Sequence, residues 1–288
     1  MLGATRAEAV RECASLILVK PDFATGPAAE FIRARTRVCA PPLIPEVALH
    51  LSGDEPIVLW EETESETGRA DLPPPFWAYP WAGGIALARY LLDHRDLVTG
   101  RVVLDLAAGS GLVAVAASLA GAARVYANDI DPMAAVAIAL NGEVNATGVT
   151  VIATDLITPR PAVRAVSGSA ATADPAAVAG PSAAAGLSVP GGLGMAADPD
   201  AGGGPAAGLA LGADVVLVGD AFYERRMAHR MLAFLRQAQA AGARVLVGDP
   251  GRTYLPADGL RAVASYAVPA WAGLEDTDIK QTTVWELC

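Results

Sequence analysis

The chain has 288 residues, more than half of them hydrophobic, enough for one sizeable α/β domain with extensions. Its formal charge of −10, from 31 acids against 21 Lys and Arg, argues against a binder of nucleic-acid phosphates. No apolar run reaches the ~18 residues of a membrane helix, and residues 16–19 are too short and too poorly flanked to form a signal peptide.

Residues 1–50 read as helical, with the stretch 30–35 continuing to the breaker Pro41-Pro42. Residues 57–60 (Ile-Val-Leu-Trp) predict a short strand, and 61–71 an acidic loop. A proline and aromatic cluster follows, Pro73-Pro74-Pro75-Phe76-Trp77-Ala78-Tyr79-Pro80-Trp81, then Gly83-Gly84 and a helix over 85–94. This organisation predicts an N-terminal helical extension over 1–75 and a main domain over 76–288.

From residue 102 the pattern alternates. Strands are predicted at 102–104, 124–127 and 149–153, separated by helices at 112–120 and 132–145, the second opened by Pro132. Residues 165–213 are almost all Ala, Gly, Pro and Ser, with no aromatic residue and no Lys or Arg. Such a segment buries too little surface to offset its ordering entropy, so it reads as a disordered insertion whose ends lie close together. Strand patterning resumes at 214–218 and 244–247 around a helix at 226–241. The pair 261–268 and 282–287 then closes the sheet with an antiparallel partner. The fold class is therefore α/β, with a doubly wound, mostly parallel sheet.

Each of the first five sheet strands ends on an acid: Asp105, Asp129, Asp155, Asp220 and Asp249. In an open parallel sheet these ends share one edge, where ligands bind at the topological switch point. Carboxylates also cap the helices that follow strands, so one acid alone would carry little weight. The first loop, Asp105-Leu106-Ala107-Ala108-Gly109-Ser110-Gly111, has glycines that let backbone pass close to a ligand. Gly109, Gly111 and Ala114 also fit a dinucleotide fingerprint, with Asp129 placed to accept ribose hydroxyls, so an NAD-binding oxidoreductase competes on these residues. The cysteines Cys13, Cys39 and Cys288 are scattered and lack metal-ligand spacing, which suggests a reducing, cytoplasmic location. His50, His94 and His229 belong to no motif, and no metal site is predicted.

The string from Val103 to Gly111 resembles the first motif of class I S-adenosylmethionine-dependent methyltransferases, with Ala107 in place of the usual first glycine. Asn128-Asp129-Ile130-Asp131-Pro132 and Asn141 resemble the next segment of that fold. The run Phe76 to Gly84, and Asp220-Ala221-Phe222-Tyr223 as a D-x-x-Y signature, resemble the family 16 protein methyltransferases. The likeness is greatest to the electron transfer flavoprotein beta-subunit lysine methyltransferases and bacterial relatives, helped by Arg35-Thr36-Arg37-Val38, Pro41-Pro42 and the string Gly248 to Arg252. The resemblance implies a seven-stranded Rossmann-like sheet and S-adenosylmethionine as cofactor. Trp81, Asp105, Gly109, Gly111, Asp129 and Asp155 would hold that cofactor, with Asp155 near the adenine amine. It implies Asp220 and Tyr223 at the reacting centre, Trp77, Trp81, Phe222 and Tyr223 lining an aromatic channel, and a protein lysine as acceptor. A small-molecule N-methyltransferase, nicotinamide N-methylase-like, would share every cofactor motif. Simpler readings exist for several residues: core packing for Trp77 and Trp81, a helix-start position for Tyr223, and an N-cap for Asp220 with Glu224 as first-turn electrostatics. Neither a nucleic-acid nor a membrane partner is implied, and the oligomeric state is left open.

Overall fold

The computed structural model describes residues 23–53, 56–68, 72–158, 204–270 and 278–288. Residues 16–19 lie outside this set, as do residues 165–203 of the predicted insertion.

The N-terminal part departs from the all-helical expectation. Helix α1 (Pro27–Arg35) stops well before Pro41. Strand β1 (Arg37–Cys39) follows and pairs antiparallel with β2 (Leu49–Leu51). The cause is tertiary. Asn145 Oδ1 takes the N–H of Ala48 at 2.9 Å, and Asn141 Oδ1 that of His50 at 2.7 Å, so β2 is held by side chains more than ninety positions away. Residues 57–60, expected as a strand, form the first turn of helix α2 (Pro56–Thr67), which also absorbs much of the predicted acidic loop. Leu59 and Thr63 are both buried one turn apart, and the Thr63 hydroxyl donates to Leu59 O at 2.7 Å. That helical spacing outweighs the β-branched pair Ile57-Val58.

Helix α3 (Ala82–Asp93) precedes the main sheet. The sheet elements are β3 (Val102–Leu106), α4 (Leu112–Leu119), β4 (Arg124–Asn128), α5 (Pro132–Val144) and β5 (Val149–Ile152). They continue with α6 (Pro205–Ala210), β6 (Val215–Gly219), α7 (Arg225–Ala240), β7 (Arg244–Asp249), β8 (Leu260–Pro269) and β9 (Ile279–Leu287). The seven strands run in the order β5-β4-β3-β6-β7-β9-β8, parallel except for β9, which pairs antiparallel with both neighbours. This is the doubly wound, mostly parallel seven-stranded sheet that the sequence predicts.

Strand alternation divides the core. Val103, Val125, Val215, Leu217 and Leu246 face α3 and α4, whereas Leu104, Leu106, Val216, Val218, Val245 and Val247 face α7. Ile44, Val47, Leu49 and Leu51 join the first of these clusters, so the N-terminal segment shares the core of the main domain.

The C-terminal end of the expected insertion is ordered. Residues 205–210 form α6, and a Cβ on Gly208 would lie 2.7 Å from the Phe234 ring of α7. Gly204 N donates to Asp155 O at 2.7 Å, so the chain returns beside the strand end it left.

Candidate active site

The sheet order reverses at β3 and β6, and a cleft of about 1110 Å³ opens at the C-terminal ends of these strands. That volume suits a nucleoside-sized ligand together with an inserted side chain. Asp129, Asp155, Asp220, Tyr223, Trp81 and Gly109 all line it. Two expected cofactor residues, Asp105 and Gly111, do not.

Asp105 lies inside β3, buried under the loop, and accepts the Ala114 N–H at 3.0 Å. Burial, followed by the Asp129 charge, pushes its carboxyl well above the usual range. It fastens α4 to the strand. Gly111 is the left-handed N-cap of α4, where a Cβ would come within 3.2 Å of Ile138 on α5.

Asp129 follows β4 and organises the glycine loop. Its Oδ2 accepts from Gly109 N at 2.8 Å and its Oδ1 from Asp131 N at 3.0 Å. Burial raises its pKa, and the Asp131, Gly109 and Ile130 N–H groups pull it back. Asp155 Oδ1 accepts from the N–H groups of Ile157 and Thr158, each at 2.9 Å. Burial pushes Asp155 up, but the Thr158 hydroxyl, these N–H groups and Arg230 outweigh it, leaving the carboxyl below its usual range.

Asp220 immediately follows β6 and does not cap α7. Glu224 fills that position for α7, accepting from Arg226 N and Met227 N. Asp220 Oδ2 accepts from Gly83 N at 2.8 Å, and its Oδ1 from Arg252 Nε at 2.5 Å. The first bond depends on a close approach of α3 to the sheet. A Cβ on Gly83 would lie 2.2 Å from Gly248 O, so no other residue lets the helix start deliver its N–H there.

The aromatic wall differs in part from expectation. Phe76 packs against both Trp81 and Tyr223, with ring centroids 5.6 Å apart in each case. Trp81 Nε1 donates to Phe76 O at 2.9 Å, which locks the indole in place. Phe222 is buried in the α7-side core and does not line the cleft; Trp77 borders the cleft but is itself core. The cation over the Trp81 ring is Arg252, with its guanidinium carbon 5.8 Å from the centroid. Tyr223 is 46% exposed at the mouth, and burial of its hydroxyl, then the charges of Asp129, Glu224 and Asp220, raise its pKa. The phenol therefore stays a proton donor at neutral pH.

In the sequence Arg252 stands out only as the end of the string Gly248 to Arg252, with no role attached to it. The available signal was positional: β6 and β7 are consecutive parallel neighbours, so a cation just after β7 falls beside the acid that ends β6. Among the described residues, no group of three or more His, Cys, Asp or Glu is arranged to hold a metal ion, and no helix is long and apolar enough to cross a membrane.

Comparison with known proteins places this architecture. A family model described as ribosomal protein L11 methyltransferase matches residues 86–163. The chain is 31% identical over 252 residues to the electron transfer flavoprotein beta subunit lysine methyltransferase of Rattus norvegicus, covering 85% of this chain and 77% of that protein. It is also 31% identical over 251 residues to the Homo sapiens protein of the same name, covering 84% of this chain and 75% of that one. The chain belongs to this methyltransferase family. As a member it is an S-adenosylmethionine-dependent N-methyltransferase, which removes the oxidoreductase reading of the glycine fingerprint. Its methyltransferase cleft fits that donor. The loop at Gly109 is open, since a Cβ there would meet only Phe76 O at 3.8 Å, and the Asp129 oxygens keep lone pairs for hydroxyl donors.

Proposed function

We propose that this enzyme methylates a lysine ε-amino group on an electron transfer flavoprotein beta subunit. Trp81, Gly109, Asp129 and Asp155 hold the donor, and Asp220 and Tyr223 face the acceptor. The observation that carries this reading is the meeting of Asp129, Asp155, Asp220 and Tyr223 on one cleft at the reversal point of the sheet. Cytoplasmic residence belongs to the same proposal and is supported by the free thiols Cys39 and Cys288.

S-adenosylmethionine, when bound, supplies a methyl group that the amine nitrogen displaces in line from sulfur. Asp129 would hold the donor by accepting hydrogen bonds from its ribose hydroxyls, and Asp155 by accepting from its adenine amine; both carboxylates line the cleft. The wall of Phe76, Trp81 and Tyr223 excludes water and guides an aliphatic side chain to the buried carboxylate of Asp220. Positioning of this kind is worth roughly 7–11 kcal/mol of barrier. A lysine of ordinary pKa near 10.4 also needs roughly 4–5 kcal/mol to shed its proton at pH 7, and desolvation between aromatic rings lowers that cost. Asp220 orients the amine, its own geometry fixed by Gly83 and Arg252.

The test is incubation with methyl-labelled S-adenosylmethionine and recombinant electron transfer flavoprotein beta subunit, alongside a fractionated cell lysate. Label on the beta subunit, lost in Asp220→Ala, is expected. Label confined to the small-molecule fraction would instead identify an N-methyltransferase of small amines.

A further inference from the structure

Two demands on Asp220 pull in opposite directions. An acceptor beside the incoming amine orients it, yet a carboxylate also stabilises the ammonium, which has no lone pair to attack with. Arg252 sits where that conflict can be settled. Its Nε meets Asp220 Oδ1 at 2.5 Å, and its guanidinium rests on Trp81. The ion pair is largely sequestered, the side chains being 22% and 5% exposed. The turn carrying Arg252 is itself clamped, since Asp249 Oδ1 accepts the N–H groups of Gly251 and Arg252, both at 2.7 Å. Asp249 is the last residue of β7, so the turn that carries the guanidinium is anchored on a sheet strand. Gly83 N holds the other Asp220 oxygen, which leaves the carboxylate little freedom to rotate.

We propose that Arg252 is a positioning residue that cancels the charge of Asp220, so that the substrate amine meets an oriented acceptor without a net anionic field and is held in its neutral form. The inference rests on Asp220 as the acceptor for the amine, as proposed above. An arginine suits the task because it stays protonated at any working pH and its planar fork matches a carboxylate. In a site drier than bulk water each uncancelled charge acts strongly on a neighbouring titration.

The experiment is the pH profile of kcat, from about pH 6 to about pH 10, with methyl-labelled S-adenosylmethionine and the electron transfer flavoprotein beta subunit. The acid limb of this profile reports the amine in the ternary complex. In Arg252→Gln the limb is expected to move up by about one pH unit, so that kcat on the limb falls about tenfold, with donor Kd nearly unchanged. Arg252→Lys, which keeps the charge, should return much of the limb towards wild type. Asp220→Asn, which leaves Arg252 uncancelled, should move the limb the opposite way while lowering kcat. Rate lost equally at every pH in Arg252→Gln, or limbs moving the same way in the Gln and Asn variants, would overturn the proposal. Full, pH-independent activity of Asp220→Asn is a separate failure, of the role given to Asp220 itself.

Discussion

Ala107 and Asp220 both occupy the left-handed region, at φ 53° and 59°, one after each strand that meets at the reversal point. For L-residues this conformation costs roughly 1–2 kcal/mol, and strain of this kind gathers at functional sites. Asp220 is compensated, because its short side chain is tied by Gly83 and Arg252. Ala107 has only a methyl group to offer. The sequence already marks it as the alanine in a glycine position, and the backbone gives that departure a measurable cost. Ala107→Gly should stabilise the protein by about 0.5–1 kcal/mol, after allowing for the greater unfolded-state freedom of glycine. Urea unfolding with an unchanged m-value is the check. A destabilised variant would mean that the alanine methyl contributes packing that outweighs the strain. The choice between Asp220 and Glu224 as the cap of α7 was not legible in the sequence. Both are acids before the same helix, and only the turn geometry separates them.

At the scale of elements, the strands and helices between residues 102 and 158 were legible because each carries its own period and its own start signal. Pro132 behind the Asp131 cap opens α5 as its sequence predicts, with Asp131 Oδ1 accepting Met133 N at 2.9 Å. The pairing of β1 with β2 was not legible, since it depends on Asn141 and Asn145 reaching across from α5. The insertion expected over residues 165–213 overlaps α6 at its C-terminal end, and its N-terminal end lies outside the described residues. Composition cannot distinguish a helix such as α6, made of Pro, Ala, Gly and Leu, from its Ala- and Gly-rich surroundings. Leu211 and Ala207 lie in the α7-side core, so α6 belongs to the fold. Replacing residues 165–203 with a short linker should leave the thermal melt cooperative and nearly unshifted. Extending the deletion through residue 213 should lower stability by about 2–5 kcal/mol, as loss of several buried side chains would. Equal melting of the two deletions would show that α6 contributes nothing.

At the scale of the whole molecule, the acidic balance of the chain includes buried carboxyls that make stability depend on pH, Asp249 among them. Asp249 is 1% exposed, and its Oδ2 is buried without a partner among the described residues. Burial first, opposed by the Arg252 and Gly251 N–H groups and reinforced by the Asp220 charge, pushes its carboxyl up to about 6. An unfolded aspartate titrates near 3.9, so between these values the native state binds more protons than the unfolded one. Stability from this group is therefore greatest at low pH and falls as pH rises through that window, by about 2–3 kcal/mol. Asp249→Asn mimics the protonated form and keeps an oxygen for Gly251 and Arg252. It should raise Tm by roughly 4–8 °C at about pH 8 and leave it unchanged at about pH 4. Calorimetry that found no pH dependence in the gain would show that the buried carboxylate carries no such cost.

What the sequence by itself determined was the class of the sheet, the edge on which its acids gather and the family to which its motifs belong. These are local: strand period, glycine spacing and the residue that ends each strand are all written within a few positions of one another. Only the tertiary structure decided what each acid does. Asp105, Asp129, Asp155, Asp220 and Asp249 look alike in the chain. Yet one anchors a helix, two organise loops on the cleft wall, one pairs with Arg252 and one clamps the turn that brings Arg252 there. The difference lies in which backbone N–H groups and which cation come within hydrogen-bond reach of each carboxylate. For Asp220 that is set by how closely α3 presses its glycine start onto β6 and β7; for the others it is set by the path of the loop or helix that follows each strand.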